Sequence, residues 1–203
     1  MKQSEKTALT ISKILSAAIE EFGVHGYSAG SINRICGHGI QKGLIYHNFK
    51  DKDALYLACV QQSCEKILRE MDDANADLAF LEHMKLRMQL WVRFPLESHI
   101  FFEALLSPPK KLIPQLQTIL EPWEAMTRRV YYRLLPHLTL RTGVSEKEAL
   151  QYFSLMQQMF HWFFTSPHYQ KLSISEKSME HETHLPKLID YMLYGVAQKG
   201  EPQ

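Results

Sequence analysis

The chain has 203 residues, enough for one large domain or two modest ones without disulfide stapling. Its apolar share of 45% and charged share of 22% are typical of globular proteins and exclude the disordered and fibrous classes. With 23 basic and 22 acidic residues the formal net charge is +1, which excludes a molecule that is basic over its whole surface but allows a local basic patch.

The cysteines and the apolar runs predict the compartment. Cys36, Cys59 and Cys64 are an odd number without metal-ligand spacing, and no apolar run near the N-terminus resembles a secretion signal. The richest apolar stretch, residues 152–164, is interrupted by polar side chains and is shorter than the ~20 residues of a membrane span. We expect a soluble cytoplasmic protein whose cysteines are reduced and buried.

The first third of the chain predicts a series of helices. Apolar residues from Ile11 to Phe22 recur with helical spacing, so residues 10–26 form the first helix, which Thr10 can cap and Gly26 can end. Ser31 can cap the short helix that follows. We expect the later helices of this third over residues 31–37, 41–49 and 53–73.

The remaining patterns are also helical, and no strand alternation competes with them. Pro114 and Pro122 fall inside one pattern, so that helix should be kinked or should begin later than its periodicity indicates. The polar, His-rich residues 166–182 have no clear period and are expected to form a loop. The predicted helices are 77–93, 96–106, 110–137, 145–165 and 183–198.

One ordered motif occupies the first quarter of the chain. Apolar residues of two short segments can hold two helices at a steep angle, while Gly39 lets the turn between them close tightly. The motif consists of Ile14-Leu15, Ala17-Ala18, Phe22, Gly26-Tyr27, Ser31-Ile32, Ile35, Gly39-Ile40, Lys42-Gly43, Ile45-Tyr46-His47, Phe49, Lys52 and Leu55. This pattern resembles the DNA-binding domain of TetR-family transcriptional regulators.

The resemblance implies an all-α fold with a helix-turn-helix DNA-binding domain in residues 1–50 and a helical ligand-binding and dimerisation domain in residues 51–203. The free N–H groups at the start of the second short helix suit a phosphate or a base edge. The residues implied as DNA contacts are Ser31, Gln41, Lys42, Gly43, Tyr46, His47 and Lys52.

For some of these residues a purely structural role stays open as an alternative to DNA contact. Tyr46 can brace the recognition helix instead of reaching phosphate, His47 can pack against its neighbours, and Lys52 can belong to a solvated Lys/Asp run. From Ile35 to Tyr46 the chain is one residue shorter than the family's usual spacing, which implies an altered angle of the recognition helix. Gln41 stands where the family commonly has Ser or Asn and can read an adenine instead of the backbone.

The C-terminal part is rich in aromatic residues and Met, as a helical core is, but an adaptable cavity for an apolar or cationic aromatic ligand would use the same residue types. We expect a small-molecule inducer to contact Met88, Trp91, Phe102, Trp123, Met126, Met159 and Phe160. By the family's usual arrangement, the homodimer interface lies on the last two long helices and includes Leu150, Phe153, Met192 and Leu193.

Other functions have little support in the sequence. The spacing of His181 and His184 does not match a zinc site, and no phosphate loop or nucleophile elbow is present, so we predict no metal, no cofactor and no enzyme activity. The prediction is a homodimeric repressor that binds a near-palindromic operator in double-stranded DNA and is released by an inducer. The alternative is a helical protein-protein adaptor that does not bind DNA.

Overall fold

A computed structural model describes residues 3–73 and 80–198 of the chain. The described residues form helices joined by short turns, with 3₁₀ turns before and after α7 and before α9. The helices are α1 (Gln3–Ala29), α2 (Ile32–Cys36), α3 (Lys42–Asn48), α4 (Lys52–Asp73), α5 (Phe80–Arg93), α6 (Pro95–Leu106), α7 (Ile113–Leu134), α8 (Glu146–Phe163) and α9 (Ile174–Val196).

The predicted all-α fold is confirmed. In the described ranges the exception is a pair of two-residue antiparallel strands, β1 (Thr139–Leu140) and β2 (Ala197–Gln198), in which Thr139 lies opposite Gln198. This pair fastens the end of α9 to the turn between α7 and α8. Of the helices described, none is both long and apolar enough to cross a lipid bilayer.

The first helix is longer than predicted, and Gly26 bends it instead of ending it. Gly26 has φ 70° and ψ 176°, a non-helical conformation that L side chains rarely adopt, and helical structure continues beyond it to Ala29. A Cβ at this position would also lie 2.7 Å from Oε1 of Glu103. The bend sets the direction in which the chain enters α2.

The predicted loop over residues 166–182 is wrong in its second half, because α9 begins at Ile174. The Ser173 hydroxyl accepts a hydrogen bond from the Glu176 N–H at 3.2 Å, and the Glu176 carboxylate accepts from the Ser173 N–H at 2.7 Å. This reciprocal pair is a capping box, which satisfies N–H groups that a helix start leaves free. The Ser-x-x-Glu signature was present in the sequence and overlooked.

The prolines act partly as predicted. Pro114 is the second residue of α7, where its missing N–H costs nothing, so the α-helix begins later than the periodic pattern over residues 110–137. Lys110–Leu112 instead form a 3₁₀ turn in front of α7, and Leu135–His137 form another behind it. Pro122 lies within the helix.

The cysteines are free thiols, as expected. Cys59 and Cys64 lie in the buried face of α4, and burial raises the pKa of both thiols, that of Cys64 to about 12. Cys36, the last residue of α2, is half-buried.

Helix α6 is the centre of the core. Its apolar residues Ile100, Phe101 and Phe102 are buried in the cluster that also contains the inner faces of α1, α4 and α7. Trp91 of α5 stacks on Phe101 with ring centroids 5.4 Å apart, and Trp123 of α7 contacts the same ring at 4.8 Å. One continuous core therefore joins the N-terminal helices to the C-terminal ones.

A single carboxylate of α6 binds the chain at the α1 bend. Both carboxylate oxygens of Glu103 accept the Tyr27 N–H at 2.9 Å, and Oε2 also accepts the Tyr56 hydroxyl at 2.9 Å. Burial and the neighbouring carboxylate raise the pKa of Tyr56 well above its ordinary value, so the phenol stays a donor. Glu103 thereby accepts the hydrogen bond of the Tyr27 amide, which the bend at Gly26 leaves without a partner in the helix.

A second buried polar cluster joins α5, α8 and α9. The Arg87 guanidinium donates to both carboxylate oxygens of Glu182 at 3.1 and 2.9 Å, and Nδ1 of His181 lies 2.9 Å from Oε1 of the same carboxylate. The His161 ring lies 5.4 Å from that of His181. Burial lowers the pKa of His161 to about 3 and lowers the pKa of His181 as well.

Replacing Glu103 tests whether its carboxylate stabilises the α1 bend. We expect Glu103→Gln to lower the free energy of unfolding by about 2 kcal/mol, because an amide has one acceptor oxygen and no charge. Urea denaturation followed by circular dichroism measures the change. The control Glu121→Gln alters an exposed side chain of α7 and should stay within ~0.5 kcal/mol of the parent; equal losses in both variants would contradict the assignment.

The buried histidines predict a loss of stability in mild acid. Below pH 6.5 the unfolded chain protonates His161 while the folded chain, in which the pKa of this ring is about 3, keeps it neutral, so stability decreases by up to ~1.4 kcal/mol for each unit by which the pH is lowered. The lowered pKa of His181 acts in the same direction. Urea denaturation between about pH 7 and about pH 5 measures this slope. His161→Phe should flatten it, and the exposed His137→Phe should leave it unchanged. A His161→Phe slope equal to that of the parent would refute the explanation.

Candidate functional site

The two short helices α2 and α3 are anchored by buried isoleucines. Ile35 of α2 is fully buried and Ile45 of α3 is 1% exposed, and both join the main core. The turn between the helices is closed by backbone hydrogen bonds, including one of 3.1 Å from the Gly39 N–H to the Cys36 carbonyl. Gly39 has φ +78°, so this compact turn requires a glycine.

An ion pair that the sequence did not indicate fastens α2 to α1. The Arg34 Nε donates to Glu21 at 2.8 Å, and the Ser31 N–H donates to the same carboxylate at 2.7 Å. Burial alone would raise the pKa of Glu21, but the hydrogen bonds from Arg34 and Ser31 outweigh it and lower that pKa. Arg34 is therefore occupied in positioning α2.

Ser31 and Gln41 stand immediately before α2 and α3, respectively. Neither side chain forms a capping hydrogen bond with its helix. The amide of Gln41 is exposed, so it is available to a base edge or a phosphate.

The remaining sequence-predicted residues of α3 lie on one exposed face. Lys42 is exposed and its Nζ donates to Asn33 of α2 at 3.2 Å. A Cβ at Gly43 would meet nothing within 4 Å, so the N-terminal turn of α3 is open to an incoming surface. Tyr46 is 47% exposed, and His47 is exposed as well.

Leu44 belongs to the same face and was missed by the sequence analysis. It is 40% exposed, although it is a large apolar residue. An apolar side chain on a helix that reads the major groove can contact the methyl group of thymine. Its position between Gly43 and Ile45 at the start of a recognition helix was the signal that could have identified it.

Lys52 lies at the start of α4, apart from the exposed face of α3. Its Nζ is 3.4 Å from the Ser28 carbonyl and lies over the Tyr27 ring, 4.7 Å from the centroid. Burial lowers the pKa of Lys52. The side chain is half-buried and helps to position the α1 bend.

The Tyr27 hydroxyl connects this region to the 3₁₀ turn in front of α7. It donates to Asp53 at 2.6 Å, and Nζ of Lys111 lies 2.7 Å from the other oxygen of the same carboxylate. The hydrogen bonds from Lys111 and Tyr27 lower the pKa of Asp53. The start of α4 is thereby tied to the turn Lys110–Leu112 of the C-terminal part.

The sequence-predicted ligand residues fall into two groups. Trp91, Phe102, Trp123, Met126 and Phe160 pack in or against the main core, and the rings of Trp91 and Phe102 are 4.8 Å apart. Met88 and Met159 point outward, with 51% and 54% of their surface exposed. The structure therefore does not bring all seven residues together around one space.

A cavity of about 550 Å³ lies between α6, α7 and α8. Its size is within the range of small-molecule sites. Both apolar and polar side chains form the wall. The lining residues are Ala104, Leu105, Leu106, Ser107, Pro108, Lys110, Ile113, Leu116, Gln117, Leu120, Glu124, Gln158, His161, Trp162, Thr165 and Gln170.

Two of the four residues predicted for a dimer interface are buried in the chain's own core. Phe153 is fully buried and Met192 is 1% exposed, so both side chains pack inside their own chain. Leu150 and Leu193 are half-buried beside them. The periodicity identified the apolar faces of α8 and α9 but not the direction in which each face points.

The exposed apolar surface of α8 lies elsewhere on the helix. Leu155, Met159 and Trp162 have one-turn spacing and are 53%, 54% and 79% exposed. On α9, Tyr191 and Tyr194 are 60% and 44% exposed. Surface of this kind on two neighbouring helices is typical of a protein-protein contact.

The histidines that raised the question of a metal site lie in α9 and diverge. His181 is fully buried, whereas the His184 side chain is 52% exposed and lies beside Glu180. Across residues 3–73 and 80–198, no group of three or more His, Cys, Asp or Glu residues is arranged to hold a metal ion.

The comparisons with known proteins agree with the N-terminal arrangement. The sequence model of bacterial regulatory proteins of the tetR family matches residues 14–59. The HTH-type transcriptional regulator UidR of Escherichia coli K12 is 33% identical over 76 residues, which are 37% of this chain and 39% of UidR. The match thus spans about two fifths of the length of the curated relative.

Solved structures match over nearly the whole chain. FadR of Bacillus subtilis, solved in complex with stearoyl-CoA, has a TM-score of 0.60 at 15% identity, with 91% of this chain and 98% of that chain covered. The fatty acid degradation regulator FadR of Bacillus halodurans has a TM-score of 0.59 at 13% identity, with 90% and 94% covered. At these identities the likeness concerns the fold. The match over residues 14–59 is thus to the DNA-binding part of the tetR family, and the solved regulators share the fold of the whole chain.

Proposed function

We propose that the chain is a sequence-specific DNA-binding transcriptional regulator that acts in the cytoplasm and that α3 is its recognition helix. The observation that carries the proposal is the exposed N-terminal half of α3 above the buried Ile45. Gln41 and Lys42 stand at its start without a capping bond, and open space surrounds Gly43. Free N–H groups and the positive end of the helix dipole favour contact with phosphates there.

The remaining candidate contacts divide by their geometry. Tyr46 and His47 are exposed on α3 and can reach phosphate or a base edge, and Leu44 adds an apolar contact. Lys52 and Ser31 lie at the starts of α4 and α2, where each can meet the backbone beside the major groove. We assign Lys42 to phosphate and Gln41 to base reading.

The same proposal includes a homodimer whose interface is the exposed apolar surface of α8 and α9. Leu155, Met159 and Trp162 supply a stripe with helical spacing on α8, and Tyr191 and Tyr194 are the exposed aromatic residues of α9 that we add to it. A two-fold dimer presents two recognition helices to half-sites ~34–36 Å apart, so the operator should be near-palindromic.

We further propose that the protein is a repressor, released when a small molecule occupies the C-terminal half. The cavity between α6, α7 and α8 has a suitable size, and the solved FadR complex with stearoyl-CoA supports the idea that this fold can accommodate a ligand. An inducer releases DNA by favouring a different arrangement of the two DNA-binding heads, which are residues 1–50 of each copy. The domain boundary proposed for this division is residue 50, at the turn before α4.

Selection of bound duplexes from a random DNA pool tests the proposal against the protein-protein adaptor. Recovery of a near-palindromic motif by the purified chain is the expected result, and recovery of nothing above background at low salt would favour the adaptor. Gln41→Ala should broaden the base preference at one position of each half-site, since a bidentate contact supplies ~1–3 kcal/mol of discrimination. If only the affinity falls and the motif stays the same, Gln41 contacts the backbone.

The salt dependence of DNA affinity tests the phosphate contact of Lys42. Lys42→Ala should weaken binding to all sequences and reduce the slope of log K against log salt by ~1–2 for two heads, since each phosphate contact contributes about 0.9. Fluorescence anisotropy at several salt concentrations gives the slope. Lys147→Ala removes an exposed lysine of α8 and should leave the slope unchanged. An unchanged slope for Lys42→Ala would remove it from the contacts.

A further inference from the structure

One buried cation near the cavity has no anionic partner among the described residues. Lys177, in the first turn of α9, is 3% exposed, and its ammonium donates to the hydroxyl of Ser107 at the end of α6. A neutral hydroxyl satisfies one N–H but does not offset the charge. Burial lowers the pKa of Lys177, which agrees with an unfavourable position for a positive charge.

Two carboxylates of α9 close to Lys177 in the sequence are engaged with other groups. Glu176, the preceding residue, accepts from the backbone N–H and hydroxyl of Ser173. Glu182 accepts both bonds of Arg87, and this pair is closed within itself. The first turn of a helix also disfavours a cation, because the dipole there is positive. The inner surface of α9 therefore carries one positive charge more than its partners offset.

Lys177 does not itself line the cavity between α6, α7 and α8, but its hydrogen-bond partner does. Ser107, the hydrogen-bond partner of Lys177, lines the cavity, and so does Lys110 of the following 3₁₀ turn. Glu124 lines it eleven residues after Ile113, ~16 Å further along α7 at 1.5 Å per residue. The cavity thus has a cationic end and an acidic end.

Apolar side chains line part of the cavity. Leu116 and Leu120 line it from α7, and Trp162, which is 79% exposed, lines it from α8. His161 also lines this part and is kept neutral near pH 7 by burial, so it adds no charge there. A ligand that fits has an anionic group at one end and a hydrocarbon body.

We propose that this cavity binds an amphipathic anion, such as an alkyl carboxylate, with its charged group at Ser107, Lys110 and Lys177 and its apolar body along Leu116 and Leu120. This assignment deepens the proposed function, because it gives the chemical class and the orientation of the inducer. It differs from the sequence-based expectation of an apolar or cationic aromatic ligand, which did not take Lys177 into account.

The same 3₁₀ turn connects the cationic end of the cavity to the DNA-binding head. Lys110 lines the cavity, while the adjacent Lys111 pairs with Asp53 at the start of α4. Asp53 in turn accepts from Tyr27 at the α1 bend. An anion that draws Lys110 inward therefore acts on a segment that directly contacts the head.

Matched ligands and variants test the assignment. Isothermal titration calorimetry with hexanoate, decanoate and hexadecanoate, each below its micelle concentration, is compared with the corresponding alcohols and alkylamines. At least one carboxylate should bind ~10-fold or more tightly than its alcohol and its amine, since charge-assisted hydrogen bonds exceed neutral ones. Equal or weaker binding of every carboxylate overturns the proposal.

Lys177→Met separates a binding role from a structural one. This variant should lose the ~10-fold preference for the carboxylate and, without ligand, should melt at a higher temperature than the parent, because an unpaired buried charge is removed. The control Lys171→Met changes an exposed lysine nearby and should alter neither property. A lower melting temperature together with retained carboxylate preference would make Lys177 a structural residue and refute the proposal.

DNA binding without ligand distinguishes failure of the ligand assignment from failure of the proposed function. If the chain selects a palindromic motif and no carboxylate binds with preference, the function stands and the ligand class is wrong. If a carboxylate binds in a Lys177-dependent manner while no DNA motif is recovered, the cavity assignment stands and the regulator function is wrong.

Discussion

The position of the N-terminal helices depends on the Glu103 carboxylate. The bend at Gly26 takes the following amide out of the helical ladder, and Glu103 of α6 accepts that Tyr27 N–H with both oxygens. A buried amide without a partner would cost ~1–3 kcal/mol, so the bend is stable only while α6 lies beside it. The direction of α2, and with it that of α3, is therefore fixed by a side chain of the C-terminal part.

A displacement of α6 is passed on to the helices around it, because α6 is buried on several sides. Glu103 and His99 both bind the end of α1, Glu103 through the Tyr27 N–H and His99 through the Gly23 carbonyl. Phe102 packs against His181 of α9, with ring centroids 5.9 Å apart. Close-packed interiors do not deform continuously, so a displacement of α6 or of the turn behind it alters the α1 bend. The head and the cavity share this helix and the adjoining turn.

The sequence predicted the helical class and the N-terminal motif because both depend on local spacing. Apolar positions such as Ile35 and Ile45 face inward in any compact pair of short helices, and the structure buries both. The start of α9 was also predictable, since the Ser173 and Glu176 capping box is local, but the polar residues around it concealed the signal.

The long-range polar contacts could not be predicted in the same way. Glu103 is 76 residues from Tyr27, and Arg87 is 95 residues from Glu182. A lone acidic residue within the apolar run of α6 indicates a buried partner but does not name it. Likewise, helical periodicity marked Phe153 as apolar without showing that its side chain points into its own core, because that depends on how α8 packs against α7 and α9.

The distribution of the thiols has a practical consequence. With Cys59 and Cys64 enclosed in the core, Cys36 is the cysteine with the best access to reagents. It ends α2, immediately before the turn that leads to α3. A spectroscopic label attached there would sit beside the DNA-reading helix without any introduced cysteine. In a dimer, the distance between the two labels would report the separation of the two DNA-binding heads. That distance could be followed as ligand or DNA is added.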